Sequence, residues 1–169
     1  MRGRRRGRGR AALATLRGQA APRRAAAQGH GDGDPPAFAL GRCAALRPPG
    51  WRPVLEALLA LGAEHHATPR VFGSLGWTAL TGLDYLGPAS DLDLLWPVLP
   101  PVRMEALLAA LARIEARAPM RLDGEVLLPD GSGANWRELQ AGGAEILVKG
   151  TGDVALHPRA AFLGAAEAA

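Results

Sequence analysis

The sequence predicts a mixed domain of strands and helices, α+β or α/β, over residues 37–169, behind an arginine-rich arm and linker over residues 1–36. Three observations predict it. Stretches of period-2 apolar alternation interleave with stretches of 3–4 apolar spacing, the mark of strands interspersed with helices. A length of 169 residues with 48% apolar content suits one domain with a real core. The charge is also divided unevenly. Residues 1–24 hold nine arginines and no acid, whereas residues 25–169 hold eleven basic and all sixteen acidic groups, a net charge of −5.

The run Arg-Gly-Arg-Arg-Arg-Gly-Arg-Gly-Arg at residues 2–10 repels itself and has nothing to bury, so the arm is expected to be disordered. Its readings are a solvated arm or a start placed too far upstream, a salt-sensitive polyanion binder, or a transit peptide that is poor in serine. No apolar stretch of signal-peptide length follows the arginines. Residues 25–36 read as a linker ending in Pro35-Pro36, and Asp32-Gly33-Asp34 lacks the distant bidentate Glu of a calcium loop.

From there the elements follow in order. Phe38–Leu46 reads as a short strand broken by Pro48-Pro49-Gly50. Pro53–Ala63 reads as a helix with Pro53 in its first turn and Val54, Leu55, Leu58, Leu59 and Leu61 inward. Arg70-Val71-Phe72 is a short strand entering Gly73-Ser74, and a brief helix through Trp77 and Leu80 stops at Gly82. Leu92–Trp96 is a strand ended by Pro97. Val102–Arg117 is the clearest helix, with Met104, Leu107, Leu108, Leu111 and Ile114 at 3–4 spacing before Pro119. Met120–Leu128 alternates as a strand into the turn Pro129-Asp130-Gly131, and Ile146–Val148 and Val154–Leu156 make two further strands.

Composition narrows the class. No run of eighteen apolar residues spans a membrane, and one cysteine excludes an internal disulfide framework, so a cytoplasmic setting is expected. The sequence pI near 10.5 points at nucleic acid only until the charge is divided. It belongs to the arm, and nucleic acid is not expected as a partner of the domain.

The chemistry is concentrated in Gly73-Ser74, a helix, and Ser90-Asp91-Leu92-Asp93-Leu94-Leu95. Residues two apart on a strand share a face, so Asp91 and Asp93 aim together while Leu92 and Leu94 enter the core. A bare Asp-x-Asp reads as an exposed face whose acids stay wet. Here a Gly-Ser pair at a strand-to-helix junction adds backbone N–H groups and a hydroxyl suited to phosphate. Further on, Asp123 and Glu125 share a face of a later strand, and either completes a carboxylate set, with Asp123 preferred. Two close carboxylates repel, and a divalent cation relieves that; hard oxygen donors of this kind suit Mg2+. Metal ligands are thus expected at Asp91, Asp93 and Asp123, with Lys149 and Arg137 as candidates to neutralise phosphate.

Together with Arg70–Trp77, Leu80–Leu83, Arg121–Glu125, Asn135–Leu139 and Ile146–Lys149, these motifs resemble the polymerase-β-like nucleotidyltransferase superfamily. Within it, they are most similar to the phosphoribosyl-dephospho-CoA transferase (holo-acyl-carrier-protein synthase) family of malonate decarboxylase, from about Pro53 to Leu156. The resemblance implies an α+β fold with a palm-like mixed sheet and flanking helices. It also implies attachment of 2′-(5″-triphosphoribosyl)-3′-dephospho-CoA to a serine of the apo acyl-carrier subunit, with pyrophosphate leaving. Asp91 and Asp93 would then be the catalytic centre, and Gly73, Ser74 and Lys149 would bind substrate. The Arg/Ala/Gly-rich stretch upstream departs from that family. Two other functions compete: a related nucleotidyltransferase using ATP or another NTP on a different acceptor, and a non-catalytic polyanion binder using the arm.

Other residues carry blander expectations. Adjacent His65-His66 mark a helix end, and His157 lacks a visible partner. Cys43 lacks any ligand at metal spacing, and Ser132 is turn chemistry. Trp77, Trp96 and Trp136 are expected in the core, with one of them able to stack on an adenine, and Trp51 partly exposed.

Overall fold

The computed structural model describes residues 38–168. The arm and linker expected over residues 1–36 lie outside the described residues. The strands are β1 (Phe38–Ala39), β2 (Arg70–Val71), β3 (Leu92–Pro97), β4 (Leu122–Leu127), β5 (Gly133–Asn135), β6 (Glu145–Lys149) and β7 (Val154–Pro158). They form one sheet in chain order, each strand beside the next. Helices are α1 (Leu40–Cys43), α2 (Arg52–Glu64), α3 (Gly73–Thr81), α4 (Met104–Glu115), α5 (Trp136–Ala141) and α6 (Arg159–Glu167). The fold is α+β, with β3 and β4 the one parallel pair among the described residues and α4 the crossover between them.

The alternation in β3 and β4 decides which face is core. Leu92, Leu94 and Trp96 of β3, with Leu122 and Val126 of β4, are fully buried. They share one core with Leu55 and Leu58 of α2 and Met104, Leu107, Leu108 and Leu111 of α4. Between those strands Gly124 has φ +142°, and a Cβ there would come within 2.7 Å of the Leu94 carbonyl carbon. The strands approach closely where only glycine fits. The intervening residues Asp93, Leu95, Asp123 and Glu125 are half-buried on the opposite face.

Several local expectations are corrected. Phe38–Leu46 is a strand only at Phe38–Ala39; the chain then enters α1 and a 3₁₀ turn at Ala44–Leu46. The stretch has no β-branched residue, and Leu40 and Cys43, three apart, are the side chains that bury, which is helical rather than strand spacing. Trp77 is not core but 55% exposed, and Trp51 is buried. Trp96 and Trp136 are core, as expected. The strand β5 and the helices α5 and α6 are further elements that the sequence reading did not delimit. β5 has only three residues, too few for a period to emerge, and α5 has six. In α6 the inward side chains are Phe162, Leu163 and Ala166 at helical spacing.

Candidate active site

The site forms where β2 turns into α3 against the half-exposed face of β3 and β4. Phe72 N donates to the Asp93 carbonyl at 3.2 Å, which seats the turn on β3. Gly73 follows with φ +60°, and a Cβ at this position would overlap Asp93 Oδ2 and come within 2.7 Å of Cγ. A glycine is required twice over, by the left-handed backbone and by direct contact with the carboxylate. Ser74 is half-buried in the first turn of α3. The helix is ended by Gly82 in the left-handed region, its N–H donating to the Thr78 carbonyl.

The parallel register sets Asp93 directly beside Asp123. Asp91 lies immediately before β3 and is half-buried. Asp93 has its carboxyl pushed up to about 6, first by burial and then by the negative charges of Asp123 and Asp91, with Arg121 pulling it back. The three acids expected from the sequence therefore form one electrostatic group. Asp123 is held more firmly than its neighbours. Its Oδ1 accepts from Gly124 N at 2.8 Å and from Asn135 Nδ2 at 3.1 Å. Its Oδ2 faces Arg121 Nη2 at 4.0 Å.

Glu125, the other candidate for third acid, is opposite Leu95 rather than Asp93 and forms an ion pair with Lys149. Lys149 thus stands at the edge of the carboxylate face, already charge-paired. Arg137, expected as a phosphate ligand, is engaged elsewhere: it pairs with Glu115, donates from Nη2 to the Leu122 carbonyl at 2.7 Å, and stacks over Trp136. Two residues with no assigned role in the sequence reading belong to the site, Arg121 and Asn135. Arg121 lies two before Asp123, the spacing that shares a strand face, and both Arg121 and Asn135 fall within the motifs that carry the resemblance.

The donor set tests the fit to magnesium. Among the described residues no three His, Cys, Asp or Glu side chains converge closely enough to hold an ion by themselves. Magnesium binds through one or two carboxylates and completes its shell with waters and substrate phosphates. Mutually repelling carboxylates at Asp91, Asp93 and Asp123, all hard oxygen donors, fit that mode. A hollow of about 390 Å3 beside Ser132, Thr151 and His157 includes none of these acids. Cys43 is buried, and burial pushes its thiol up, which leaves it unreactive. Ser132 is tied to Asp130 in a turn, as expected, with Ser132 N donating at 2.9 Å.

The fold is thus a mixed sheet with flanking helices in which a Gly-Ser turn rests on strand carboxylates, the arrangement expected from the resemblance to nucleotidyltransferases. Residues 39–160 match the family described as "Phosphoribosyl-dephospho-CoA transferase MdcG C-terminal domain", and the chain belongs to that family. A phosphoribosyl-dephospho-CoA transferase of Xanthomonas euvesicatoria is 47% identical over 118 residues, covering 70% of this chain and 55% of the relative. One of Bradyrhizobium diazoefficiens is 42% identical over 132 residues, covering 78% of this chain and 58% of the relative. The matched chain therefore spans little more than half the length of these relatives. No solved structure matches. No described helix is long and apolar enough to cross a membrane.

Proposed function

We propose that this chain carries the catalytic centre of a phosphoribosyl-dephospho-CoA transferase. It would move 2′-(5″-triphosphoribosyl)-3′-dephospho-CoA onto a serine of the apo acyl-carrier subunit of malonate decarboxylase, in the cytoplasm. The observation that carries the reading is the contact of Gly73 with the Asp93 carboxylate, beside Asp123 in register. A Gly-Ser turn packed directly against a group of acids supports a phosphate-binding role for that turn, because a purely structural strand face has no need of it.

The reaction forms one bond and breaks one. The serine oxygen attacks the α-phosphorus, its proton passes to the carboxylate group, and the bond from that phosphorus to pyrophosphate breaks, leaving a phosphodiester. A serine hydroxyl is a weak nucleophile at neutral pH and needs such a proton acceptor. Backbone N–H groups at Gly73 and Ser74, with the Ser74 hydroxyl, would hold the triphosphate. Asp91, Asp93 and Asp123, together with substrate phosphates and water, would hold Mg2+, which when bound neutralises phosphate charge and acidifies the attacking hydroxyl. Lys149 would reach phosphate by exchanging Glu125 for it. Arg137 has no part in holding phosphate, because Glu115 and the Leu122 carbonyl occupy it.

The test is direct. The protein is incubated with magnesium and apo carrier, with either the triphosphoribosyl donor or ATP, and pyrophosphate and carrier mass are followed. Release with the first donor, together with the mass gain of the prosthetic group, is the expected result. Consumption of ATP instead, or of neither donor, would overturn the assignment.

A further inference from the structure

The run Asn135-Trp136-Arg137-Glu138, which opens α5, has no part in the reaction as written above, yet each of its polar members reaches a different strand or helix. Arg137 Nη1 donates to Glu115 Oε2 at 2.7 Å and Nη2 to the Leu122 carbonyl at 2.7 Å. Glu115 Oε1 in turn accepts from Leu122 N at 3.0 Å. The Arg137–Glu115 pair thus grips both peptide groups of Leu122, the residue before Asp123. Glu138 Oε2 accepts from Leu147 N at 2.9 Å, fastening α5 to β6. Trp136 is buried and anchors the run in the core.

Asn135 completes this set by touching the Asp123 side chain itself. Its Oδ1 accepts from Arg137 N at 2.9 Å and caps α5. A backbone N–H can only donate, so the carbonyl oxygen of the amide must face it, and the amide nitrogen must face Asp123. With Asn135 Nδ2 and Gly124 N both on Oδ1, that oxygen is occupied and Oδ2 is the one left to other partners. A carboxylate on an otherwise unsupported strand face would turn freely about its side-chain bonds; here Gly124 N and Asn135 Nδ2 together decide which oxygen is presented, and Asn135 is the side-chain donor of the two.

We infer that Asn135 is a positioning residue for Asp123, fixing which carboxylate oxygen is offered to the divalent cation and the triphosphate. The Arg137–Glu115 pair fixes the backbone beneath it. The inference rests on the proposed function for its catalytic consequence, but the contact it invokes is readable without turnover.

The experiment uses the full chain with Asn135→Ser and Asn135→Asp. Both replacements keep an oxygen that caps α5, and both lose the amide donor to Asp123. Asn135→Asp also sets a negative charge against it. Thermal unfolding is measured in EDTA and in magnesium chloride, and kcat and KM are measured with the triphosphoribosyl donor and apo carrier. In EDTA, Asn135→Ser is expected to unfold within a few degrees of the parent. The magnesium concentration that gives half the metal-induced rise in Tm should increase 10- to 100-fold in Asn135→Ser and further in Asn135→Asp. The loss of activity should fall on kcat, with the donor KM changed less than about threefold. A cap without a positioning role would leave the magnesium response and kcat of both variants at the parental value, and that result overturns the inference. An absence of any magnesium-induced rise in the parent overturns it too. A parent that magnesium stabilises but that transfers nothing, with the response weakened in both variants, overturns the proposed function and upholds the role of Asn135.

Discussion

The two faces of the β3–β4 pair are built from alternate residues of the same twelve positions, and they serve opposite ends. One face packs Leu92, Leu94, Trp96, Leu122 and Val126 against α2 and α4 with almost no exposed surface. The other sets Asp93 beside Asp123, so that the carboxyl of Asp93 is pushed up to about 6. The first face stabilises the fold; the second destabilises it at neutral pH, because ionised acids are held together and partly desolvated. A period of two residues lets one strand pair do both without mixing them. The difference predicts that changes to the acid face alter activity with little loss of stability, and changes to the apolar face do the reverse.

A large effect on activity is expected where the turn meets the acid face, at Gly73. Gly73→Ala puts a methyl group into the Asp93 carboxylate and demands a left-handed backbone from an ordinary residue. Either the turn or the carboxylate must move, and loss of one preorganised electrostatic element costs roughly two to three orders of magnitude in rate. Pyrophosphate release should fall by about that factor while the far-UV spectrum stays parental. Activity within threefold of the parent would mean that the contact between turn and carboxylate is incidental.

The corresponding change on the apolar face is Leu108→Ala in α4. Leu108 is fully buried, so removing its side chain leaves a cavity and should cost about 2–5 kcal/mol in unfolding free energy. The kcat per folded molecule should be unchanged, since Leu108 belongs to the apolar core and the acids lie on the other face of the strands. A stability loss below about 1 kcal/mol, or a large fall in kcat at a temperature where the variant is folded, would erase the division between the faces.

This division was legible in the sequence because it depends only on local spacing. The alternation in Leu92–Trp96 and the 3–4 spacing from Met104 to Leu111 identify β3, α4 and their inward residues without knowledge of partners. Gly73-Ser74 and the paired aspartates were legible for the same reason. Partnerships across the chain were not. Arg137 looks like a free cation in sequence, and only the fold shows Glu115, twenty-two residues away, neutralising it. Lys149 and Glu125 are twenty-four residues apart and form a pair that no spacing rule reveals. Trp77 misleads in the opposite direction, because a large aromatic residue in a helix with Leu75 and Leu80 reads as core, yet α3 turns it outward. Asn135 stood out only within the motif Asn135–Leu139, because neither the short helix it caps nor its bond to Asp123, which crosses between strands, follows from local spacing.

The smallest change in stability separates the faces most cleanly, because here a loss of function should come with a gain of stability. Asp93 has a folded-state carboxyl at about 6 against an ordinary 3.8, so the native state holds its proton more tightly than the unfolded chain does. The contribution of this group to stability is therefore complete below about pH 4 and is lost as pH rises through about 6. Asp93→Asn keeps the shape and removes the charge. In EDTA, variant and parent should unfold at nearly the same temperature at pH 4, and the variant should be the more stable by on the order of 1 kcal/mol at pH 7.5. The gain is small because the side chain is only partly buried and water screens its neighbours. The same variant should release no pyrophosphate, and magnesium should raise the Tm of the parent but not of the variant. A variant less stable than the parent at pH 7.5 in EDTA would show that the Asp93 charge is satisfied by the fold itself, and the acid face would then be a structural feature with no cost for a cation to relieve.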